Sequence, residues 1–200
     1  MEADIYVNQV DIGRYWPRNA GVTAEQALAD VRAGKARFED YAFLDPHQAA
    51  ALQVVVDGEK FLPSVPMATV PQPVTPGMVP LNNPDQNSPV IVTGNNEHTV
   101  NVLTSIWAQG RTPAYLVMVD CRGSTVDMAV LFGDFTPERL KAALASYRLE
   151  EVVTHRRLIV PGLTAALARE FSEATGWEIE IGPVCALELP LFLGDRWLPA

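Results

Sequence analysis

The residues that could bind a metal or act as a nucleophile are few and widely spaced in this 200-residue sequence. The two cysteines, Cys121 and Cys185, form no C-x-x-C motif, so this chain alone cannot supply the four thiolates of a zinc or iron–sulfur site. Cys121 could be a nucleophile only beside a base, and no histidine stands near it in the sequence. His98 and His155 lack partners at metal-ligand spacing and are more typical of helix caps or surface residues.

Glycine and amide residues instead mark four short segments that could receive a ligand. These segments are TGNNEH (93–98), DCRGST (120–125), PGLT (161–164) and GPVC (182–185). Asn95 and Asn96 can hydrogen-bond amide groups, and glycine lets a backbone approach a large flat or phosphate-bearing ligand. The glycines could also do no more than permit turns, and composition alone favours that interpretation. No G-x-G-x-x-G or Walker motif is present.

The four segments follow strands of a predicted α/β domain. Its strand patterns are VIVTG (90–94), AYLVMVD (114–120), RLIVPG (157–162) and WEIEIG (177–182). Helical patterns cover residues 97–110 and 163–176 and a segment that begins at Thr136-Pro137-Glu138, and TVDMAVLF (125–132) is β-rich. Repeated βα units predict a Rossmann-like, mostly parallel sheet with helices on both faces over residues 89–200. Ligands bind at the carboxyl ends of such strands, where all four segments lie.

Residues 1–61 are predicted to form a small, mainly helical module. Thr23 and Gln26 have capping-box spacing ahead of a helix that stops at Gly34, and DPHQAAAL (45–52) suggests a second helix. Asp57-Gly58 between apolar residues is typical of a hairpin. Eight of the 16 prolines fall between Pro63 and Pro89, so residues 62–88 are predicted to be a proline-rich linker without regular structure.

The net charge of −9 excludes some classes of partner. Phosphate binding depends on clustered positive charge, so nucleic acid and anionic membrane surfaces are poor candidates. Arg156-Arg157 could hold a phosphate, but a solvated rim is the favoured interpretation. The start of the chain shows no signal-peptide pattern, and no apolar run approaches the about 18 residues of a membrane span. A cytoplasmic protein is therefore expected.

The strings of residues 89–197 resemble the C-terminal corrinoid-binding domain of the corrinoid iron–sulfur protein large subunit. The similar strings are PVIVTGNNEHTV, TPAYLVMVDCRGSTVDMAVLFGDFT, HRRLIVPGL, ATGWEIEIGPV and LPLFLGDRW, of which HRRLIVPGL and GWEIEIGP are the most specific. That protein is the methyl carrier of the acetyl-CoA synthase/CO dehydrogenase system, and the cobalamin domain of mercury-methylation proteins belongs to the same group. The resemblance implies a corrinoid (cobalamin) cofactor, held with its benzimidazole base off the cobalt.

The implied cofactor-binding residues lie in the four segments and in the loop after the second strand. They are Thr93, Gly94, Asn95, Asn96, Gly123, Thr125, Met128, Ala129, Gly133, Pro161, Gly162, Gly182 and Pro183. Met128 matches the residue that faces the lower side of the cobalt, where a thioether would be a soft, weak donor. The alternative is that Met128 fills a pocket or the core. Leu131, Phe132 and Asp134 replace small residues and a lysine of the family around Gly133, which weighs against a macrocycle at this loop.

The segment YWPRNAGVTAEQALADVRAGKARFEDYAFL (15–44) resembles the family's four-iron cluster domain. The positions of three cluster cysteines are occupied by Ala20, Glu25 and Tyr41, so no iron–sulfur cluster of that type is expected. The family's TIM barrel has no counterpart in the sequence. The resemblance therefore implies a separate TIM-barrel methyltransferase or corrinoid-protein subunit as partner.

Two functions remain open. The chain could bind a corrinoid and act as a methyl carrier or corrinoid-handling subunit, at most a component of methyl transfer and not a stand-alone catalyst. It could instead be a non-catalytic paralogue that serves as an assembly or interaction subunit. The loop glycines 94, 123, 133, 162 and 182 favour the first function, and the lost cysteines with Leu131-Phe132 favour the second.

Overall fold

A computed structural model describes residues 5–63 and 71–200 of the chain. The strands and α-helices of these residues are, in chain order, β1 (Tyr6–Val7), β2 (Val10–Asp11), α1 (Ala24–Arg32), α2 (Pro46–Phe61), β3 (Met78–Leu81), β4 (Val90–Gly94), α3 (Glu97–Trp107), β5 (Ala114–Val119), α4 (Val126–Leu131), α5 (Pro137–Ser146), α6 (Leu149–Val152), β6 (Arg157–Val160), α7 (Ala168–Thr175), β7 (Glu178–Ile181) and α8 (Leu189–Leu193). Short 3-10 turns connect several of them, including Gly162–Leu167 between β6 and α7.

A five-stranded sheet with the order β3-β5-β4-β6-β7 is the centre of the fold. Strands β4 to β7 pair in parallel, and β3 is an antiparallel edge strand against β5. All five residues of β4 are buried, as expected for a parallel strand with both faces covered. The prediction of a Rossmann-like, mostly parallel sheet flanked by helices is confirmed.

Alternating strand residues supply two hydrophobic cores, one on each face of the sheet. Ile91 and Ile159 pack with α2, α3 and α8, whereas Val92 and Val160 pack with α4, α5 and α7. The period of two along each strand divides these side chains between the faces. The helices are therefore anchored on opposite sides of the strands whose carboxyl ends carry the candidate site.

The N-terminal residues share the first of these cores. Leu52 and Val55 of α2 are fully buried in the same cluster as Ile91. The Tyr15 hydroxyl donates a hydrogen bond of 2.5 Å to Glu188, and the ring Nδ1 of His47 lies 2.7 Å from the carbonyl of Trp197. These contacts fix the N-terminal elements against the connection that follows β7.

Two predictions of local structure are wrong. Asp57 and Gly58 lie inside helix α2 and not in a hairpin, since Asp45 caps this helix and Leu187 packs where a side chain on Gly58 would be. The β-rich segment TVDMAVLF forms α4, which begins after Thr125. In both segments, tertiary packing overrides the local turn or strand propensity of the residues.

The prediction that residues 62–88 contain no regular element is also wrong, because β3 lies within them. Pro80 of this strand pairs with Tyr115. Strand β3 is at the edge of the sheet, where a residue without a backbone N–H is tolerated. Among the described residues, no helix combines the length and the apolarity needed to cross a bilayer.

Replacing Gly110 by alanine is expected to destabilise the protein. An added Cβ would lie 2.6 Å from Cζ2 of Trp197 and 2.8 Å from the carbonyl of Leu198. Overpacking of this kind costs about 1–3 kcal/mol, which urea denaturation followed by tryptophan fluorescence would measure. Gly21→Ala is the control, since no heavy atom lies within 4 Å of the corresponding Cβ. Equal midpoints for the two variants would contradict the packing at Gly110.

Candidate functional site

A cavity of about 190 Å³ opens at the carboxyl ends of β4, β6 and β7. Five of the predicted site residues line it, namely Thr93, Thr125, Pro161, Gly182 and Pro183. They come from three strand ends and from the residue before α4, so the fold brings together residues that are far apart in sequence. The position agrees with the rule that α/β sheets bind ligands beyond the carboxyl ends of their strands.

The cavity has an apolar wall and an exposed apolar rim. Ile91, Leu103 and Leu189 form part of the wall. Leu163 and Val184 also line the cavity and are 41% and 66% exposed. Large apolar side chains left exposed at a concave site are typical of a binding surface.

Two threonines provide polar groups at this site. Thr93 is buried against the cavity, and its hydroxyl has no hydrogen-bond partner among the described residues. Thr125 is exposed and precedes α4 without a hydrogen bond from its side chain to the helix. Both hydroxyls are therefore free to pair with amide or carbonyl groups of a ligand.

Helix α4 presents Met128 to solvent beside the cavity. Met128 is 39% exposed and belongs to neither hydrophobic core, whereas Ala129 next to it is fully buried. Leu131, three residues on, is 74% exposed and shares the outer face of the helix with Met128. Phe132 follows at 65% exposure. The bulky pair Leu131-Phe132 thus points away from the core.

The loops after β6 and β7 are packed tightly on each other. A Cβ on Gly162 would lie 2.7 Å from the carbonyl of Gly182 and 2.8 Å from the amide nitrogen of Val184. Only glycine permits this close approach of the two loops. Gly162 does not line the cavity itself, but it determines how closely the loops that line it pack together. Gly133 differs, since it is exposed at the turn after α4 with a φ of +69° and open space where a Cβ would be.

The predicted residues Gly94, Asn95, Asn96 and Gly123 form a buried framework behind the cavity. Asn95 accepts hydrogen bonds from the amides of Cys121 and Gly123, at 2.7 and 3.2 Å. Asn96 donates to the carbonyl of Gly123 at 2.7 Å and caps α3 by accepting from Thr99. In this arrangement both side chains hold loops together.

The cavity is not lined by the other candidate residues of the sequence, which are His98, His155 and Arg156. The ring Nε2 of His155 lies 2.9 Å from the carbonyl of Ser88, and Arg156 stacks at 5.1 Å over Trp177, both beside the amino end of β6. His98 lies in the first turn of α3. No group of three or more His, Cys, Asp or Glu side chains in residues 5–63 and 71–200 is arranged to hold a metal ion.

The residues at the three cysteine positions do not fit an iron–sulfur cluster. Tyr41 belongs to an aromatic cluster, with ring centroids 6.0 Å from Trp16 and 5.8 Å from Phe43. Glu25 is exposed in the first turn of α1, and Ala20 offers no donor atom. None of the three side chains supplies a thiolate. Aromatic edge-to-face packing stabilises this part of the chain instead.

Twelve residues that line the cavity were not among the predicted cofactor-binding residues, and they include Thr99, Asp127, Leu163 and Val184. Leu163 and Val184 each follow a predicted site residue directly, after Gly162 and Pro183. An apolar residue inside a loop that follows a strand was the available signal, because loops are usually polar at the surface. Thr99 and Asp127 are first-turn helix residues, which gave no such signal.

The chain is similar in sequence to a known protein family and to several known proteins. Residues 54–193 match the family model described as CO dehydrogenase/acetyl-CoA synthase delta subunit. The chain is 34% identical over 162 residues to the acetyl-CoA decarbonylase/synthase complex subunit gamma of Methanopyrus kandleri, which covers 81% of this chain and 35% of that protein. The subunit gamma 2 of Methanosarcina thermophila is 29% identical over 92% of this chain and 37% of its own length.

A third relative is the corrinoid/iron-sulfur protein large subunit of Moorella thermoacetica. It is 34% identical over 99 residues, which cover 50% of this chain and 22% of that protein. The similarity to this protein is thus confined to a shorter segment than the similarity to the gamma subunits. The chain spans about a third or less of the length of these relatives.

Cys121 is expected to be unreactive despite its place beside the site. It is fully buried, and burial raises the pKa of its thiol to about 12. At pH 8 the thiol would then be almost entirely protonated, so the nucleophilic thiolate is scarce at this position. We expect a Cys185→Ser variant to resist Ellman's reagent when native and to react fully in urea. Stoichiometric labelling of the native variant within minutes would contradict this environment.

Proposed function

The chain belongs to the CO dehydrogenase/acetyl-CoA synthase delta subunit family, and from this premise we propose that the cavity and its rim bind a corrinoid. The protein would then serve as a methyl carrier or corrinoid-handling subunit. The observation that carries the proposal is the apolar cavity at the carboxyl ends of the strands, with exposed apolar side chains around it. Relatives of this chain include a protein whose name specifies a corrinoid.

The residues at the site fit a large ligand with an apolar face and a polar periphery. The cavity of about 190 Å³ is smaller than the about 300–1,000 Å³ of usual small-molecule pockets, so the exposed rim must supply the rest of the contact. Leu163 and Val184 are exposed at this rim, and Met128 is exposed on α4, next to the lining residue Asp127. The hydroxyls of Thr93 and Thr125 are available for the amide groups around a corrinoid ring.

When bound, a corrinoid supplies a cobalt atom that can carry a methyl group. The chain's own residues hold and orient it in this proposal. Met128 would offer a soft thioether from α4, and Pro161, Gly182 and Pro183 would form the wall that excludes water from one side. Leu131 and Phe132 are exposed and do not fill the cavity. Because Leu131 shares the outer face of α4 with Met128, a corrinoid at Met128 would also lie against Leu131.

The proposed carrier works with other proteins. Two of the relatives named above are, by their names, subunits of an acetyl-CoA decarbonylase/synthase complex. We infer that this chain also acts with partner subunits, including one with a TIM barrel. Cobalt in a carrier has to be kept reduced. Since the residues at the cysteine positions do not fit a cluster, the electrons would come from another protein.

One observation favours the second candidate, an assembly subunit without cofactor. Leu131 and Phe132 form an exposed apolar pair outside the cavity. An exposed pair of this size is typical of a protein contact surface. The first candidate remains the better supported, because the cavity itself has no role in an assembly subunit.

Cobalt retention tests the proposed function. The purified protein is mixed with hydroxocobalamin, free ligand is removed by gel filtration, and cobalt content and the visible spectrum are recorded. We expect about one cobalt per chain and a base-off spectrum. Absence of retained cobalt would refute corrinoid binding and leave the assembly subunit as the remaining candidate.

Met128→Ala tests the residue that the family resemblance assigns to the lower side of the cobalt. If the thioether lies near cobalt, the spectrum of the bound cobalamin shifts and its affinity falls by a factor of about 10, or about 1.4 kcal/mol. Leu198→Ala is the matched control, since Leu198 is also 39% exposed but lies at the other end of the fold beside Gly110. A Met128→Ala spectrum identical to that of the control would rule out this role for Met128.

A further inference from the structure

The segment 72–74, which we call the strap, crosses the two loops that lie behind the cavity. The amide of Gln72 donates to the carbonyl of Gly123 at 3.2 Å, and its carbonyl accepts from the amide of Glu97 at 2.8 Å. The amide of Val74 donates to the carbonyl of Asn95 at 2.9 Å. The strap is therefore hydrogen-bonded to the β4–α3 loop and to the β5–α4 loop at the same time.

The side chain of Asn95 joins these three pieces of chain. Its Nδ2 donates to the carbonyl of Val74 at 2.9 Å, while its Oδ1 accepts from the amides of Cys121 and Gly123. Asn95 is 1% exposed, so water does not compete for these bonds. A buried amide with several partners is costly to disrupt, because each partner left unpaired loses its hydrogen bond in a dry environment.

Gly123 lets the strap come this close. Its φ is +78°, and a Cβ on it would lie 2.3 Å from the nitrogen of Pro73 and 2.7 Å from the carbonyl carbon of Gln72. Both are backbone or ring atoms that cannot rotate away. Any side chain at position 123 would force the strap and the loop apart.

The loop held in this way leads directly into the proposed binding face. Thr125 follows Gly123 by two residues and precedes α4, which carries Asp127 and Met128. Thr125 and Asp127 line the cavity, and Met128 is the next residue of α4. A shift of the loop would move all three residues relative to the strand ends.

We propose that Asn95 and the strap are positioning elements, which hold the β5–α4 loop so that Thr125 and Met128 face the ligand. The identity of the ligand rests on the proposed function, whereas the fixing of the loop does not. The strap lies in the proline-rich stretch, whose fixed φ angles reduce the entropy lost when it is held in an extended conformation.

Both Gly123→Ala and its matched control Gly176→Ala strain a residue with positive φ, but only Gly123→Ala also places a Cβ against the strap. Comparing the two variants therefore distinguishes the clash with the strap from the backbone strain. Gly176 has a φ of +74°, similar to that of Gly123, but a Cβ there meets no atom within 4 Å. We expect amide hydrogen exchange of residues 72–77 and 120–128 to become at least about tenfold faster in Gly123→Ala and to stay unchanged in Gly176→Ala. Equal exchange in these segments for both variants would overturn the proposal.

The same variants are then titrated with hydroxocobalamin, and the visible spectrum of the complex is recorded. Weaker binding and a changed spectrum in Gly123→Ala alone support a positioning role. Unchanged affinity and spectrum, with exchange accelerated, would overturn that role. If the wild-type protein binds no cobalamin while the exchange difference persists, the proposed function fails and the fixing of the loop is supported.

Asn95→Asp provides a second test if Gly123→Ala does not fold. The ionised aspartate keeps an oxygen to accept from Cys121 and Gly123 but has no donor for the carbonyl of Val74, so exchange is compared at pH values where the carboxyl is ionised. We expect faster exchange of residues 72–77 with a smaller effect on residues 120–128. Unchanged exchange of residues 72–77 in a folded Asn95→Asp protein would contradict the role of the side chain in holding the strap.

Discussion

The buried amide of Asn95 is the interaction on which the arrangement of the site depends. It lies directly after the central strand β4 and has to find partners for both its oxygen and its nitrogen away from water. Its partners come from the β5–α4 loop and from the strap, and two of them, Val74 and Cys121, are 47 positions apart in the sequence. The hydrogen bonds of this one side chain therefore hold the loop before α4 and residues 72–74 together.

The rest of the fold supports this edge of the sheet from two sides. One hydrophobic core, which includes Leu103 and Leu189, joins the N-terminal helices to the cavity wall. The other core buries Val126 and Ala129 and so anchors the inner face of α4. Because α4 is held by its inner face, its outer residues Met128 and Leu131 stay exposed. A site with rigid walls and an apolar rim suits a flat, rigid ligand, since little conformational freedom remains to be lost on binding.

The sequence predicted the strands and the edge that carries the site more reliably than the contacts there. The apolar runs of β4 and β6 are continuous because both strand faces are buried. In a parallel sheet, the loops that follow such strands lie at one edge, so the position of the site could be predicted. The hairpin expected at Asp57-Gly58 failed because the helix through these residues depends on Asp45 and on Leu187, far away in sequence. The partners of Asn95 were unpredictable for the same reason, since no local pattern says that residues 72–74 come back to it. Leu163 and Val184 lie in the predicted PGLT and GPVC segments but were missed, because the prediction relied on the glycine, proline and amide residues of these loops.

If a corrinoid binds to the face formed by the cavity and α4, the position of its cobalt can be measured directly. The chain has five methionines, whose methyl groups give separate NMR signals after selective ¹³C labelling. Paramagnetic cob(II)alamin broadens signals close to the metal. We expect the Met128 methyl signal to broaden more than that of Met78, which lies on the edge strand β3 and packs against the core on the inner side of α4. An unchanged Met128 signal at saturating cob(II)alamin would contradict corrinoid binding at this face.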